Sequence, residues 1–378
     1  MQRLKRLSLT DFRNYARLVW TDPERLVVLS GENGSGKTNL LEAVSLLVPG
    51  RGLRGARGGH LLRQQAEPGA QWGVAAVFEQ DGQDWRLGTA GDPQRAGRRV
   101  FSLDGAAPRN RDEVAERLAA VWLTPQMDRL FSEGASARRR FLDRLVLALE
   151  PGHAREVAAH DAALAQRNRL LGGSAVPDPG WLDALEASIA RHAVAVTAAR
   201  ADLVRRLNAV ASDAAGLLPG MDAFPRPRLA LVCAIGERLR SGSALAVEDA
   251  LRAGLASSRA ADRAQGTASI GAHRSDMALV EAATGTDAAL ASTGQQKTLL
   301  IGVVLAHARA ITALRGLPPL LLLDEPMVHL DEHRRGALLA TLAALPGPVL
   351  VSGTDAAVFD ALRGRAQFIR VASGELTS

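Results

Sequence analysis

A strand, a glycine-rich turn and a helix follow one another across residues 26–48, and few patterns constrain a fold as tightly. Leu26–Ser30 reads LVVLS, a β-branched apolar run suited to a buried strand. The chain then turns through Gly31-Glu32-Asn33-Gly34-Ser35-Gly36-Lys37-Thr38, whose three glycines tolerate positive φ and let backbone amides face inward. From Lys37 onward, Leu40, Leu41, Val44, Leu47 and Val48 fall at helical spacing, so a helix N-terminus points at the turn. Amides and helix dipole together form an anion site. In that setting Lys37 reaches the β- and γ-phosphates of a nucleotide, and Thr38 offers a hydroxyl to Mg²⁺. The pattern predicts an α/β fold.

The choice of lysine supports this. Only Lys5, Lys37 and Lys297 occur in a chain rich in arginine, and a compact ammonium suits a phosphate cradle where a planar guanidinium does not. Lys297 follows a second polar turn, where a solvated helix face explains it equally well.

A second segment with chemical content is Leu320–Pro326, LLLLDEP. Four leucines bring Asp324 and Glu325 to the C-terminal end of a buried strand, where ligands of parallel sheets collect. Asp324 would hold Mg²⁺ directly or through water, and Glu325 would orient and deprotonate an attacking water. Strands also stop at charges for no functional reason, so the segment gains its meaning from the phosphate turn. Asp331 begins the next turn and suits the N-cap of a helix over Glu332–Leu345. The third segment is Ser292-Thr293-Gly294, before a helical stretch at Gln295–Leu314. A hydroxyl and free amides there make another anion site, although Ser-Thr-Gly is also an ordinary helix cap.

Three features bear on class and compartment. A sequence of 378 residues has ample length for a core and for two or three domains. No apolar stretch is expected to reach a membrane span, and residues 1–10 carry charges where a signal peptide needs an apolar core. Cys233 is the only cysteine, which excludes an internal disulfide and a cysteine-rich zinc site and favours a reducing cytoplasm. A net charge of +6 and a pI near 10.4 favour a polyanionic partner, while an arginine-rich genome would produce the same values.

Residues 1–130 alternate strands (Leu4–Leu9, Leu26–Ser30, Gly73–Glu79, Trp85–Gly88, Arg99–Leu103) with the first helix. Residues 131–265 are mostly Ala-, Leu- and Arg-rich at helical spacing; GGSAVPDPG at Gly172–Gly180 divides an expected antiparallel helical pair, and Arg226–Val232 returns to strand. Residues 266–378 carry the second and third motifs. Arg51, Arg54, Arg57 and Arg63, with Arg95, Arg98 and Arg99 in a second loop, are candidate contacts to a phosphate backbone, or simply solvated arginines. Aromatic residues make up 4% of the chain, which disfavours a stacking groove for single strands and leaves duplex or junction DNA.

The order of motifs resembles the RecF family of bacterial recombination-mediator ATPases, relatives of the SMC proteins. The likeness is carried by Phe12-Arg13-Asn14-Tyr15, by Thr124-Pro125-Gln126-Met127-Asp128 with Arg138-Arg139-Arg140-Phe141-Leu142-Asp143, by Gly271-Ala272-His273-Arg274-Ser275-Asp276, and by Ser352-Gly353-Thr354-Asp355. It implies an ABC-type ATPase head with a mixed sheet, split by an inserted α-helical arm. Within it, Arg13, Asn14 and Asp331 join the phosphate turn as nucleotide contacts, and Gln126 becomes the metal- and water-sensing glutamine. Ser292-Thr293-Gly294 becomes the signature turn that binds the γ-phosphate held by a second subunit. The resemblance further implies a weak DNA-stimulated ATPase that dimerises on ATP. Such a protein grips DNA near single-strand gaps and, with RecO and RecR, loads recombinase in repair, replication restart and SOS induction. Ala272 stands where relatives often carry proline, and Asp324-Glu325 where many carry two aspartates. The Asp-Glu form is closer to active ABC ATPases. His273 is either structural or a nucleotide sensor. Two other classes compete. A transporter ATPase subunit places the motifs closer together than Thr38 and Ser292 stand here and needs a membrane partner. A scaffold that keeps ATP as a structural ligand differs only in not hydrolysing it.

Overall fold

The computed structural model describes residues 2–56, 58–95, 97–174, 177–213 and 216–377. Arg57, one of the arginines named above, and Ala175 and Val176 of the Gly172–Gly180 break lie outside them. Along the first third of the chain run strands β1 (Gln2–Phe12), β2 (Tyr15–Thr21) and β3 (Leu26–Ser30), then helix α1 (Lys37–Ser45). Strands β4 (Gly73–Gln80), β5 (Gln83–Gly91) and β6 (Arg99–Leu103) follow, then α2 (Arg111–Arg117) and β7 (Ala120–Leu123). The middle is mainly helical: α3 (Ala135–Leu149), α4 (His153–Gly172), α5 (Pro179–Ser212), strand β8 (Pro227–Val232), α6 (Ala234–Ser241), α7 (Ala244–Ser257) and α8 (Arg259–Gln265). After β9 (Asp276–Glu281) come α9 (Thr293–Arg315), β10 (Leu320–Leu323), α10 (Glu332–Ala344), β11 (Val349–Gly353), β12 (Gln367–Ala372) and β13 (Glu375–Thr377).

These elements form two compact units. The first comprises residues 1–129, 210–227 and 291–378, and the second residues 130–209 and 228–290. The first holds two sheets. One is antiparallel, in the order β2-β1-β4-β5-β6; the other is mixed, in the order β13-β12-β3-β11-β10-β7. In the mixed sheet β3, β7, β10, β11 and β12 are parallel, and only β13 runs against its neighbour. Every residue of β7 and β10 is buried, as continuous apolar runs in a covered parallel sheet require. Register decides what happens at the strand ends. Leu323 pairs with both Leu123 and Val351, and Ser30 with Gly353, so the C-terminal ends of β3, β7, β10 and β11 finish together.

The second unit is mainly helical, with β8 and β9 as a two-stranded sheet. Where the sequence suggested one helical pair, α3, α4 and α5 form three helices. Pro151 explains the additional break: its ring cannot continue the α3 ladder, and α4 restarts at His153. The unit buries the apolar faces of α5 and α7 through Ala190, Ala193, Val196, Val247 and Leu251.

Helix α9 corrects one expectation. It has 23 residues and a mean hydropathy of 1.5, so by length and composition it is apolar enough to cross a bilayer. Yet 78% of that apolar stretch is buried inside the protein, where α9 packs on β7. The same composition that suits lipid suits a helix enclosed by its own core.

Candidate functional site

The turn after β3 is shaped by two contacts that exclude a side chain. Gly31 has φ +148°, and a Cβ there would stand 2.3 Å from Val371 O; at Gly36, with φ +118°, a Cβ would stand 2.6 Å from Asn14 Nδ2 and 2.8 Å from the Tyr15 hydroxyl. Glu32, Asn33 and Gly34 are exposed at the crest, while Gly36 and Lys37 are buried. Lys37 Nζ donates to Gly31 O at 2.7 Å and Glu32 O at 2.9 Å, two neutral partners for three N–H groups. Ser35 Oγ is buried without a hydrogen-bond partner among the described residues. A turn with a spare ammonium donor and an orphaned hydroxyl fits an anion arriving at the helix N-terminus.

Residues 12–15 buttress this turn. They form the tip of the β1–β2 hairpin, with Phe12 paired to Tyr15 and Arg13 in the left-handed region at φ +54°. Tyr15 OH donates to Gly36 O at 3.1 Å, and burial pushes its own ionisation well up, so it stays a neutral donor. Asn14 Nδ2 donates to Ser35 O at 3.3 Å, and Asn14 Oδ1 accepts from Asn39 at 2.7 Å. Arg13 clasps the fully buried Glu42 of α1 with two bonds, at 2.8 and 2.9 Å, and donates a third to His60 O. Arg13 is therefore committed to α1, and Asn14 is held at the back of the turn. Sequence reasoning gave no role of its own to Tyr15; the available signal was that it is the only tyrosine in the chain.

The carboxylate pair stands across the sheet. Thr38 Oγ1 donates to Asp324 Oδ1 at 3.0 Å, joining the end of the phosphate turn to the end of β10. Ser352 Oγ donates to the same oxygen at 2.7 Å and accepts from Glu325 N at 3.1 Å. The register pairing Leu323 with Val351 places Ser352 beside Asp324, a role that the motif Ser352–Asp355 did not reveal. Asp324 Oδ2 and the Glu325 carboxylate accept no hydrogen bond among the described residues. Glu325 occupies the left-handed region at φ +49°, a conformation that costs a non-glycine residue about 1–2 kcal/mol and re-aims its side chain. A hydroxyl and one free carboxylate oxygen make the hard-oxygen set that suits Mg²⁺.

Gln126 is exposed in the turn Pro125–Arg129 after β7, at the same sheet end, since Asp324 N donates to Leu123 O at 2.9 Å. Ser292 and Thr293 are exposed at the start of α9. There Ser292 and Gln295 form a reciprocal capping box, at 3.3 and 2.9 Å. No hydrogen bond joins Ser292–Gly294 to Gly31–Thr38 among the described residues. Asp331 caps α10 by accepting from Arg334 N at 2.8 Å, as its position suggested.

Lys297 is 1% exposed, which overturns the solvated-face explanation. Its ammonium donates to Glu325 O at 3.1 Å and Asp128 Oδ2 at 3.3 Å, tying α9 to the carboxylate strand and to the Gln126 turn.

The arginines divide. Arg99 donates to Leu46, Val48 and Gly50 carbonyls and stacks on Phe101, so it binds the C-terminal end of α1 instead of facing solvent. Burial, then the charge of Arg111, lowers its pKa to about 9. Arg63 pairs with Asp11 at 2.8 Å, and Arg54 donates to Asn39. Arg51, Arg95 and Arg98 are exposed. His273 lies in the second unit, with Nε2 against Ala268 O at 3.1 Å; burial lowers its pKa.

Residues 3–365 match the RecF/RecN/SMC N terminal domain family. The DNA replication and repair protein RecF of Mesorhizobium japonicum is 44% identical over 98% of this chain and 96% of its own length. A solved structure of the recombination mediator protein RecF-ATPrS in the RecFOR pathway superposes with a TM-score of 0.84 at 20% identity, covering 99% of this chain and 97% of that one. The RecF-ATP structure of the same pathway gives 0.82 at 21% identity, covering 100% and 99%.

Proposed function

Since the chain belongs to the RecF family, within the wider RecF/RecN/SMC group, we propose that it is an ATP-driven DNA clamp of recombinational repair that acts in the cytoplasm. The observation that carries this reading is the chain of bonds Thr38–Asp324–Ser352–Glu325. It joins the phosphate turn to the carboxylate pair through one shared oxygen.

ATP, with Mg²⁺, supplies the transferable γ-phosphoryl group. Lys37 would turn its ammonium from the carbonyls of Gly31 and Glu32 to phosphate oxygens, beside the amides of Gly34–Thr38. Thr38 and Asp324 would hold the metal, with Gln126 at the same sheet end as its third contact. Glu325, its backbone pinned by Ser352 and Lys297, keeps a carboxylate without a partner that can take the proton of an attacking water. The exposed Ser292-Thr293-Gly294 turn suits the γ-phosphate of a second copy, so the nucleotide would sit between two subunits. Lys297 would then link that turn to Glu325 and couple closure to hydrolysis.

DNA would be held through its backbone near single-strand gaps by Arg51, Arg95 and Arg98, with binding that weakens steeply as salt rises. The DNA-bound dimer would recruit RecR, with RecO, and hydrolysis would release it. Anisotropy of a labelled gapped duplex, with and without Mg-ATP at fixed salt, tests the clamp. Tighter binding with ATP, lost in Lys37→Arg and prolonged in Glu325→Gln, is expected. Binding indifferent to ATP would leave a nucleotide-bound scaffold instead.

A further inference from the structure

Two signatures far apart in sequence, Arg138–Asp143 and Gly271–Asp276, meet within the second unit. Arg138 grips Asp276 through two bonds of 2.8 Å, and Arg139 Nη1 donates to Ser275 O at 2.9 Å. Asp143 accepts from Arg200 at 2.7 and 2.8 Å, and Arg200 donates onward to Ala272 O and Ser275 Oγ. These bonds account for how the segments are held together. They do not account for the groups left unsatisfied around the adjoining cavity of about 260 Å³.

His160 lines that cavity and is 2% exposed. Its Nδ1 is 3.1 Å from the Asp161 carboxylate, which only accepts, so Nδ1 carries the proton and Nε2 is left bare, buried and without a partner. His273 repeats the situation in mirror form. Its Nε2 donates to Ala268 O, and Nδ1 is bare, buried and without a partner. The two rings lie 5.7 Å apart, and both bare nitrogens border Gly271, where a methyl group would stand 2.6 Å from one and 3.3 Å from the other. Buried polar atoms are rarely left this way unless a ligand or water completes them.

The surrounding charge selects the ligand. Both nearby carboxylates are engaged, Asp143 by Arg200 and by His153 at 2.8 Å, and Asp161 by His160. Among the described residues, Arg139 has only the Ser275 carbonyl as a hydrogen-bond partner, and Arg140 only Ser136 Oγ. Positive charge is in excess at the cavity, since Arg139, Arg140 and Arg200 line it against Asp143 and Asp161. A metal cation would meet that excess, and no group of three or more His, Cys, Asp or Glu side chains that could hold one occurs among the described residues. An oxyanion would instead let both imidazoles take a second proton and donate from the bare nitrogens, with the two arginines adding charge-assisted bonds.

We propose that this cavity is a phosphate-group site, taking a phosphomonoester or inorganic phosphate between His160, His273, Arg139 and Arg140. None of these residues belongs to the nucleotide turn. The test is ¹⁵N-histidine NMR on the full chain titrated with inorganic phosphate, with resonances assigned through His160→Gln and His273→Gln. Millimolar phosphate should move His160 Nε2 and His273 Nδ1 from the bare to the protonated range. Arg139→Gln should weaken the response at least about tenfold, the scale of one charge-assisted bond. Arg140→Gln, which leaves the Ser275 link intact, should do the same if the Arg139 variant folds poorly. A duplex with a 5′-phosphate, compared with its 5′-hydroxyl form, separates the sources. A response only to the phosphorylated end identifies a DNA terminus, and a response to inorganic phosphate alone identifies a small free anion. No movement with either inorganic phosphate at tens of millimolar or the 5′-phosphorylated duplex overturns the proposal. So does a response to Zn²⁺ in its place.

Discussion

Lys37 and Arg167 are both buried cations, one in the glycine turn after β3 and one in the core of the helical unit, and their charges are met in opposite ways. Arg167 is 0% exposed and donates to Glu186 at 2.9 Å, Asp262 at 2.8 Å and Leu255 O at 2.7 Å, so two buried carboxylates answer its charge. Among the described residues Lys37 donates only to backbone carbonyls. The contrast holds for the acids: Asp324 accepts from two neutral hydroxyls, whereas Asp143 and Asp276 face arginine. Charge that is internally paired builds structure. At Lys37 and Asp324 the neutral partners leave charge available to a ligand, whereas Arg99, also held by carbonyls, serves the end of α1.

Four experiments would break or sharpen that contrast. The largest effect is expected for Arg167→Met, which leaves Asp262 buried without its cation and Glu186 with Arg259 alone; such a break costs about 3–5 kcal/mol, read as a lowered unfolding midpoint. Replacing all three with apolar residues of similar volume should recover most of the loss, which would show the network to be structural. Next comes Glu325→Gln, where ATP hydrolysis should fall roughly 100-fold or more while nucleotide binding and the unfolding midpoint stay unchanged. An equal loss of stability would place Glu325 with the structural acids. Ser352→Ala removes the hydroxyl shared by Asp324 and Glu325, and should cost about 10–100-fold in activity, partly recovered by raising Mg²⁺. Smallest is Tyr15→Phe, which leaves Gly36 O with Leu40 N as its remaining donor and should cost about 1 kcal/mol, with a loss of nucleotide affinity on the same scale.

Acid provides a further separation. The bonds from Arg138 hold the Asp276 carboxyl below its usual range. A depressed carboxylate contributes stability that is complete above the unfolded pKa of about 3.9 and is lost as pH falls through the folded value. Melting followed from pH 5 downward should therefore steepen in the wild type and flatten in Asp276→Asn. An unchanged slope would mean that the pair adds nothing to folding.

Much of the first unit was legible in sequence because its signals are local. A glycine turn between strand and helix, or four leucines before two acids, specifies its own backbone, and β3, β10 and the start of α1 lie where those patterns place them. Tyr15, Ser352 and the buried Lys297 were not legible as parts of the site. Each gains its role from a residue far away in the chain, and nothing in its neighbours announces that contact. Arg99 misled for the same reason: an arginine in a polar loop reads as solvated until the C-terminal carbonyls of α1 are found around it. Length and hydropathy could not distinguish α9 from a membrane span, because both environments exclude water and only the packing on β7 identifies which one surrounds it.

The sequence by itself determined the glycine turn after β3, the acidic strand end and their order along the chain, since these depend on residues adjacent in the chain. Only the tertiary structure decided which groups share an oxygen, which arginines are committed to carbonyls or carboxylates, and which ring nitrogens are buried without a partner among the described residues. Those outcomes follow from sheet register and burial, which bring residues together across hundreds of positions and determine whether a polar atom meets water, a partner or neither.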